Sequence, residues 1–220
     1  GSSTILTGCD DGDATAPGYA YDTIGNRTTV THNGTAVTYK PNALNQYTQR
    51  AVAGAFDVAG ATTGTTVTVS KSGGPTDTAT RQGNYFFDAY ALTNTSVPVF
   101  ATLSVADGIT VANLPAYVEQ TPESLTYDAD GNLTANGRWS FTYDAESRLL
   151  MMETTSAAVT AGVPRQKLTF VYDYLGRRVR KTVQSGWSGS AYTSIDSDLK
   201  YLYDGWNLLY ELDAANSLAK

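Results

Sequence analysis

Cysteine is almost missing from this chain: Cys9 stands alone among 220 residues. A single thiol excludes an intrachain disulfide and any thiol-rich metal site. Histidine is as scarce. A Ser–His–Asp triad would have to use His32, and no Gly-x-Ser-x-Gly elbow accompanies it. Followed by Asn33-Gly34, a strong two-residue hairpin signal, His32 is expected to end a surface strand. No run approaches the roughly 18 apolar residues of a membrane helix, and no signal-peptide pattern opens the sequence, so membrane insertion is not expected. Charge is low too, at 16% of residues with a net of −6, and the 15 Lys and Arg are scattered. Counterion release from phosphates needs clustered cations, so nucleic acid is not an expected partner. Two methionines, and no Leu/Ala/Glu/Lys window of helical period, exclude a long amphipathic helix.

What remains is strand material. Gly 20 and Tyr 15, with abundant Thr and Val, favour an all-β fold of antiparallel hairpins. A repeat organises it. Tyr21-Asp22-Thr23-Ile24-Gly25-Asn26-Arg27 recurs at Tyr127–Leu133, Tyr143–Leu149, Tyr172–Arg178 and Tyr203–Leu209, with a degenerate copy at Pro41–Tyr47. The second position is Asp or Asn throughout, and the fifth is Gly25, Asn45, Gly131, Ser147, Gly176 or Asn207. This is the chemistry of a type I turn closed by a left-handed residue, the three-residue hairpin loop with a bulge. The Asp or Asn oxygen is placed to accept an amide two residues on. Such a loop sets Tyr127 opposite Leu133, Tyr143 opposite Leu149 and Tyr203 opposite Leu209. Arg27 and Arg178 take that place in two copies, where a cation–π contact is expected. Isolated hairpins are marginal, so these are expected to pair edge to edge.

These residues resemble the RHS/YD-repeat family of bacterial polymorphic-toxin and wall-associated proteins, related to teneurins and Tc-toxin shell components. The resemblance covers about residues 18–50 and 120–213. It implies a β-sheet shell that encloses a cargo domain, of which six hairpins form a fragment. Neighbouring repeats or that cargo are then the partners, and the location is secreted or at the bacterial cell surface. The family's autocleavage motif and toxin would follow Lys220.

Between residues 51 and 118 the repeat stops and Ala, Gly, Thr and Val take over. Alternation at Thr66–Ser70 and the aromatic runs at Tyr85–Tyr90 and Val97–Val105 predict four to six strands of a small Ig-like sandwich, with Phe86, Phe87 and Phe100 near its core. Lys71–Thr80, with Gly73-Gly74-Pro75, reads as a turn or loop, and Asp107-Gly108 as a second turn. The division expected is 1–50 hairpins, 51–118 sandwich and 119–220 hairpins.

Chemistry-bearing motifs are few. Asp10-Asp11-Gly12-Asp13 and Asp128–Asn132 lack the further oxygen ligands of a calcium loop, so no metal or cofactor is expected. Glu119, Glu123, Asp144, Glu146, Glu153 and Glu211 supply carboxylates for a glycosidase pair, but most fall at turn or surface positions. The reading is therefore non-catalytic: a structural segment, with no catalytic residue assigned. The alternative is a carbohydrate-binding module whose exposed rings stack on sugars. Trp187, within Ser185–Gly189, and Trp206, within a turn, are its contact residues, while Trp139 opens a strand and packs. Polysaccharide is then a partner, and unpaired edge strands predict self-association.

Overall fold

Aspartate-led turns at short intervals leave the backbone little choice but antiparallel pairing, and the computed structural model shows this throughout. It describes residues 18–32 and 35–219. Cys9, the Asp10–Asp13 cluster and the Asn33-Gly34 turn lie outside the described residues. The fold is all-β, as composition and turn chemistry indicated. The chain divides into two compact units, Gly1–Pro122 and Glu123–Lys220.

The first unit opens with β1 (Gly18–Tyr21), β2 (Arg27–His32), β3 (Thr35–Pro41) and β4 (Tyr47–Arg50), each paired antiparallel with the next. Seven more strands follow: β5 (Ala55–Ala61), β6 (Thr68–Lys71), β7 (Thr76–Thr78), β8 (Thr80–Gln82), β9 (Tyr85–Ala91), β10 (Val99–Ala106) and β11 (Val111–Val118). They form two sheets in the orders β11-β10-β6-β7 and β5-β9-β8. One core joins them: Val58 and Tyr90 from one sheet, Val69, Leu103, Val105, Ala116 and Val118 from the other, with Val67, Ala79 and Leu92 beside them. This is a sandwich. It has one strand more than the upper sequence expectation, because part of the segment read as a loop pairs as β7 against β6.

The central ring is Tyr90, fully buried, whose hydroxyl donates to the Pro75 carbonyl at 2.8 Å. Phe86, Phe87 and Phe100 are all half-buried, but only Phe86 shares the face of Tyr90 and packs against the core. Strand period explains the difference. Side chains alternate between faces, so Phe87 points away from Tyr90, and Phe100 away from Leu103 and Val105.

The second unit comprises β12 (Glu123–Ser124), β13 (Thr126–Tyr127), β14 (Leu133–Ala135), β15 (Trp139–Tyr143), β16 (Leu149–Thr154), α1 (Ser156–Thr160), β17 (Lys167–Tyr172), β18 (Arg178–Trp187), β19 (Tyr192–Asp204) and β20 (Asn207–Leu212). From β13 to β20 each strand pairs with the next in an eight-stranded meander. Across its middle, Phe141, Met152, Leu168 and Val183 lie in one apolar row. The next row, Thr142, Met151, Thr169, Thr182 and Asp198, is mostly polar. The helix is one turn long, capped by Thr155, whose hydroxyl accepts from the Ala158 amide.

Candidate functional site

The turns carry the most regular chemistry. Tyr21 opposes Arg27, Tyr127 opposes Leu133, Tyr143 opposes Leu149 and Tyr172 opposes Arg178, each just after a register shift. The fifth residue is left-handed at Gly25, Asn45, Gly131, Ser147 and Gly176. Ser147, the poorest fit by propensity, still reaches a φ of 60°. In each turn one oxygen of the second residue accepts two amides. Asp22 Oδ1 takes those of Ile24 and Asn26, and Asp173 Oδ1 those of Leu175 and Arg177.

One copy departs from this. Tyr203 opposes Leu208 rather than Leu209, and Asp204 pairs with Asn207. Glycine stands third here instead of fifth, so the left-handed residue is Gly205 and the loop shortens to Gly205-Trp206. A further turn follows that the tyrosine-led search missed. Asp213 Oδ1 accepts from Ala215 and Ser217, Asn216 is left-handed, and Leu212 bridges to Leu218. Leucine replaces tyrosine there, so the signal lay in the Asp–x–x–Asn spacing alone.

Sequence reasoning overlooked the sixth residue. Its side chain reaches back to the second residue's other carboxylate oxygen: Asn26 to Asp22, Asn132 to Asp128, Arg148 to Asp144 and Arg177 to Asp173, at 2.6 to 3.0 Å. It also reaches toward a later turn. Asn26 donates to Asn45 and Asn132 to Ser147. The Arg148 guanidinium lies 5.5 Å from the Tyr172 ring, and that of Arg177 5.2 Å from the Tyr203 ring. Arg177 donates to the Gly205 carbonyl as well. Arg27 and Arg178, expected over the opposing rings of Tyr21 and Tyr172, lie against others: Arg27 sits 4.4 Å from Tyr39, and Arg178 is 5.2 Å from Tyr201. These rings are on neighbouring strands.

A different cluster gathers at the β18–β19 end of the second unit. Trp187 and Tyr192 are cross-strand partners with ring centroids 5.0 Å apart. The Arg165 guanidinium lies 4.7 Å from the Trp187 ring, and the Lys167 ammonium 5.1 Å from that of Tyr192. Glu153, opposite Lys167, accepts from the Tyr192 hydroxyl at 2.5 Å and sits 3.6 Å from Arg165. Burial, reinforced by the bond to Glu153, holds the Tyr192 phenol well above the usual range. Arg165 Nε is buried without a hydrogen-bond partner.

Gly186 makes the arrangement possible. Its φ is +69°, and a Cβ there would meet Thr193 Oγ1 at 2.7 Å and Ser194 Oγ at 2.9 Å. Trp187, named from sequence as a contact residue, is therefore part of a cluster, and 39% of it is exposed. Trp206, the other one, is apart from this cluster at the β19–β20 tip and 72% exposed. Trp139 begins β15, with Arg138 5.4 Å from its ring.

Among the six carboxylates weighed for glycosidase chemistry, Asp144 and Glu146 are tied to Arg148 in their own turn, and Glu123 is buried and accepts from the Gly137 amide. Asp128 spends both oxygens within its turn, on Asp130 and Asn132. Among the described residues, no group of three or more His, Cys, Asp or Glu is placed to hold a metal ion.

Known proteins match part of the sequence. The tRNA3(Ser)-specific nuclease WapA of Bacillus spizizenii is 35% identical over 100 residues, covering 44% of this chain and 4% of that protein. The tRNA nuclease WapA of Bacillus subtilis strain 168 and the tRNA(Glu)-specific nuclease WapA of Bacillus subtilis subsp. natto match to the same extent. The chain thus spans a small fraction of these bacterial relatives. No family model matches it.

These matches correct four expectations. The RHS/YD-repeat resemblance gives way to similarity with proteins named as tRNA nucleases, with no family model behind it. A purely structural, non-catalytic segment and a non-enzyme both conflict with relatives named as enzymes. Their names also place tRNA where the partner reading excluded nucleic acid and put neighbouring repeats, cargo or polysaccharide. The physical reason is one of scope. Scattered charge and absent motifs bear on the residues in view, whereas 4% of a long chain says little of the rest.

Proposed function

We propose that this chain works within a bacterial protein that cleaves tRNA. The observation that carries the reading is the 35% identity over 100 residues shared with proteins named as tRNA nucleases. The division into 1–50, 51–118 and 119–220 belongs to the same reading, as does a place outside the cell or at its surface. Within the chain, Trp187 and Trp206 are contact residues whose exposed rings suit planar ligands, and nucleobases are the planar groups a tRNA presents when unpaired.

The acidic balance of the chain, net −6, supports short-range contact over long-range steering, since the broad cationic field that draws phosphates from a distance is weak here. The test is to expose susceptible bacteria to the protein that carries this chain and to sequence their tRNA ends. Cleavage of one or a few tRNA species supports the reading. An intact tRNA pool in cells that have demonstrably taken up the protein overturns it.

A further inference from the structure

We infer that Trp187, Arg165, Lys167, Tyr192 and Glu153 form a contact site for one unpaired nucleotide of RNA, the base resting on Trp187 and the phosphate on the two cations; this rests on the tRNA reading above. Four observations meet there. Trp187 is exposed by 39%, so ring surface remains available beside Arg165 and Tyr192. The Lys167 ammonium faces the Tyr192 ring, and among the described residues it forms no ion pair. Arg165 Nε is a buried donor with no acceptor, and its ion pair with Glu153 is long, at 3.6 Å. With Arg165 and Lys167 against Glu153, two positive charges and one negative, the cluster carries a local charge of +1 within a chain of −6.

That combination is selective. A neutral sugar needs a flat ring but no cation, and an inorganic anion needs cations but no ring. A nucleotide needs both within a few ångströms. Stacked bases and arginine planes are how single-stranded RNA is held in general, and neither requires the wide basic surface that a duplex demands. The Tyr192 hydroxyl is committed to Glu153, which fixes the phenol ring as a wall beneath Lys167. The +69° φ at Gly186 holds β18 so close to β19 that Trp187 and Tyr192 face each other.

The experiment titrates this 220-residue chain into a fluorescently labelled, unstructured single-stranded RNA octamer and follows anisotropy at two salt concentrations. Binding is expected, about ten-fold weaker in Trp187→Ala, as loss of one stacked base implies. In Lys167→Gln, which removes the charge of a half-buried side chain, affinity should fall and the salt slope should lessen by about one. Tyr174→Ala, which removes an exposed ring outside the cluster, should leave this binding unchanged. Far-UV circular dichroism and melting confirm that each variant folds. The inference is overturned by an octamer that does not bind, by equal affinity in Trp187→Ala and Lys167→Gln, or by displacement with a neutral polysaccharide. If the larger protein cleaves tRNA while these variants bind normally, the site is wrong and the tRNA reading stands. If the octamer binds here while cells keep intact tRNA, that reading fails alone.

Discussion

The Tyr172 hydroxyl donates to the Leu149 carbonyl at 3.0 Å and so ties one hairpin to the strand just past the preceding turn. Tyr203 makes the same bond to Arg178, and Tyr47 accepts from the Arg27 amide, both at 3.0 Å. In each case the backbone partner is the residue opposite the previous copy's first position, so the ladder of hairpins is locked at its turn end by phenol oxygens.

Removing that oxygen isolates its contribution. Tyr172→Phe keeps the ring beside Arg148 and loses only the hydrogen bond, for which a loss of about 1 kcal/mol is expected in urea unfolding. Tyr203→Phe should cost less, since water reaches that bond. Unchanged stability in Tyr172→Phe would show that the bond merely accompanies ring packing.

Acid should weaken the fold from the turns inward. Backbone donation from Arg148, with its side-chain bond, holds the Asp144 carboxyl below the usual carboxylate range despite some desolvation. Side-chain donation from Asn26 and Asn132 does the same for Asp22 and Asp128. A carboxyl depressed in the folded state adds stability above its unfolded value of 3.8, and that share is lost as pH falls through the lower folded value. Melting temperature should be level between about pH 5 and 7 and fall below about pH 4. Asp144→Asn should flatten the acid limb; an identical acid limb in that variant would exclude Asp144 as a source.

The sandwich should respond as a packed core does. Leu103 is fully buried between sheets, so Leu103→Ala is expected to cost about 2–5 kcal/mol, through lost burial and the cavity left behind. Tyr90→Phe, which removes the bond to the Pro75 carbonyl, should cost about 1 kcal/mol. Denaturant midpoints check both.

Gly186→Ala tests how the aromatic cluster is held. Positive φ and two hydroxyls under 3 Å from the added methyl predict a loss of more than about 1 kcal/mol. They also predict a displaced Trp187, read as a shifted tryptophan emission maximum. Wild-type emission and stability would mean that β18 accommodates the methyl.

Much of this was legible beforehand because turn chemistry is local. Asp22 with Gly25, or Asp173 with Gly176, specifies a loop within five residues, and the loop sets the register of the strands it joins. Tyr203 slipped because Gly205 competes for the left-handed place two residues early, a contest that the motif alone cannot decide. The Trp187 cluster was half visible. Trp187 stood out as a ring in a glycine-rich stretch, but Glu153 and Arg165 join it only through pairing across about 20 to 40 residues of chain, which no local pattern encodes. Charge misled for a related reason: an even scatter along the sequence can still fold two cations and two rings together.

Direct cleavage is the most decisive measurement. Purified protein carrying this chain is incubated with 5′-labelled tRNA, and the products are resolved on a denaturing gel. Discrete fragments from defined tRNA species are predicted, in lower yield with Trp187→Ala. Full-length tRNA after prolonged incubation with folded protein, across every tRNA species offered, would contradict the account.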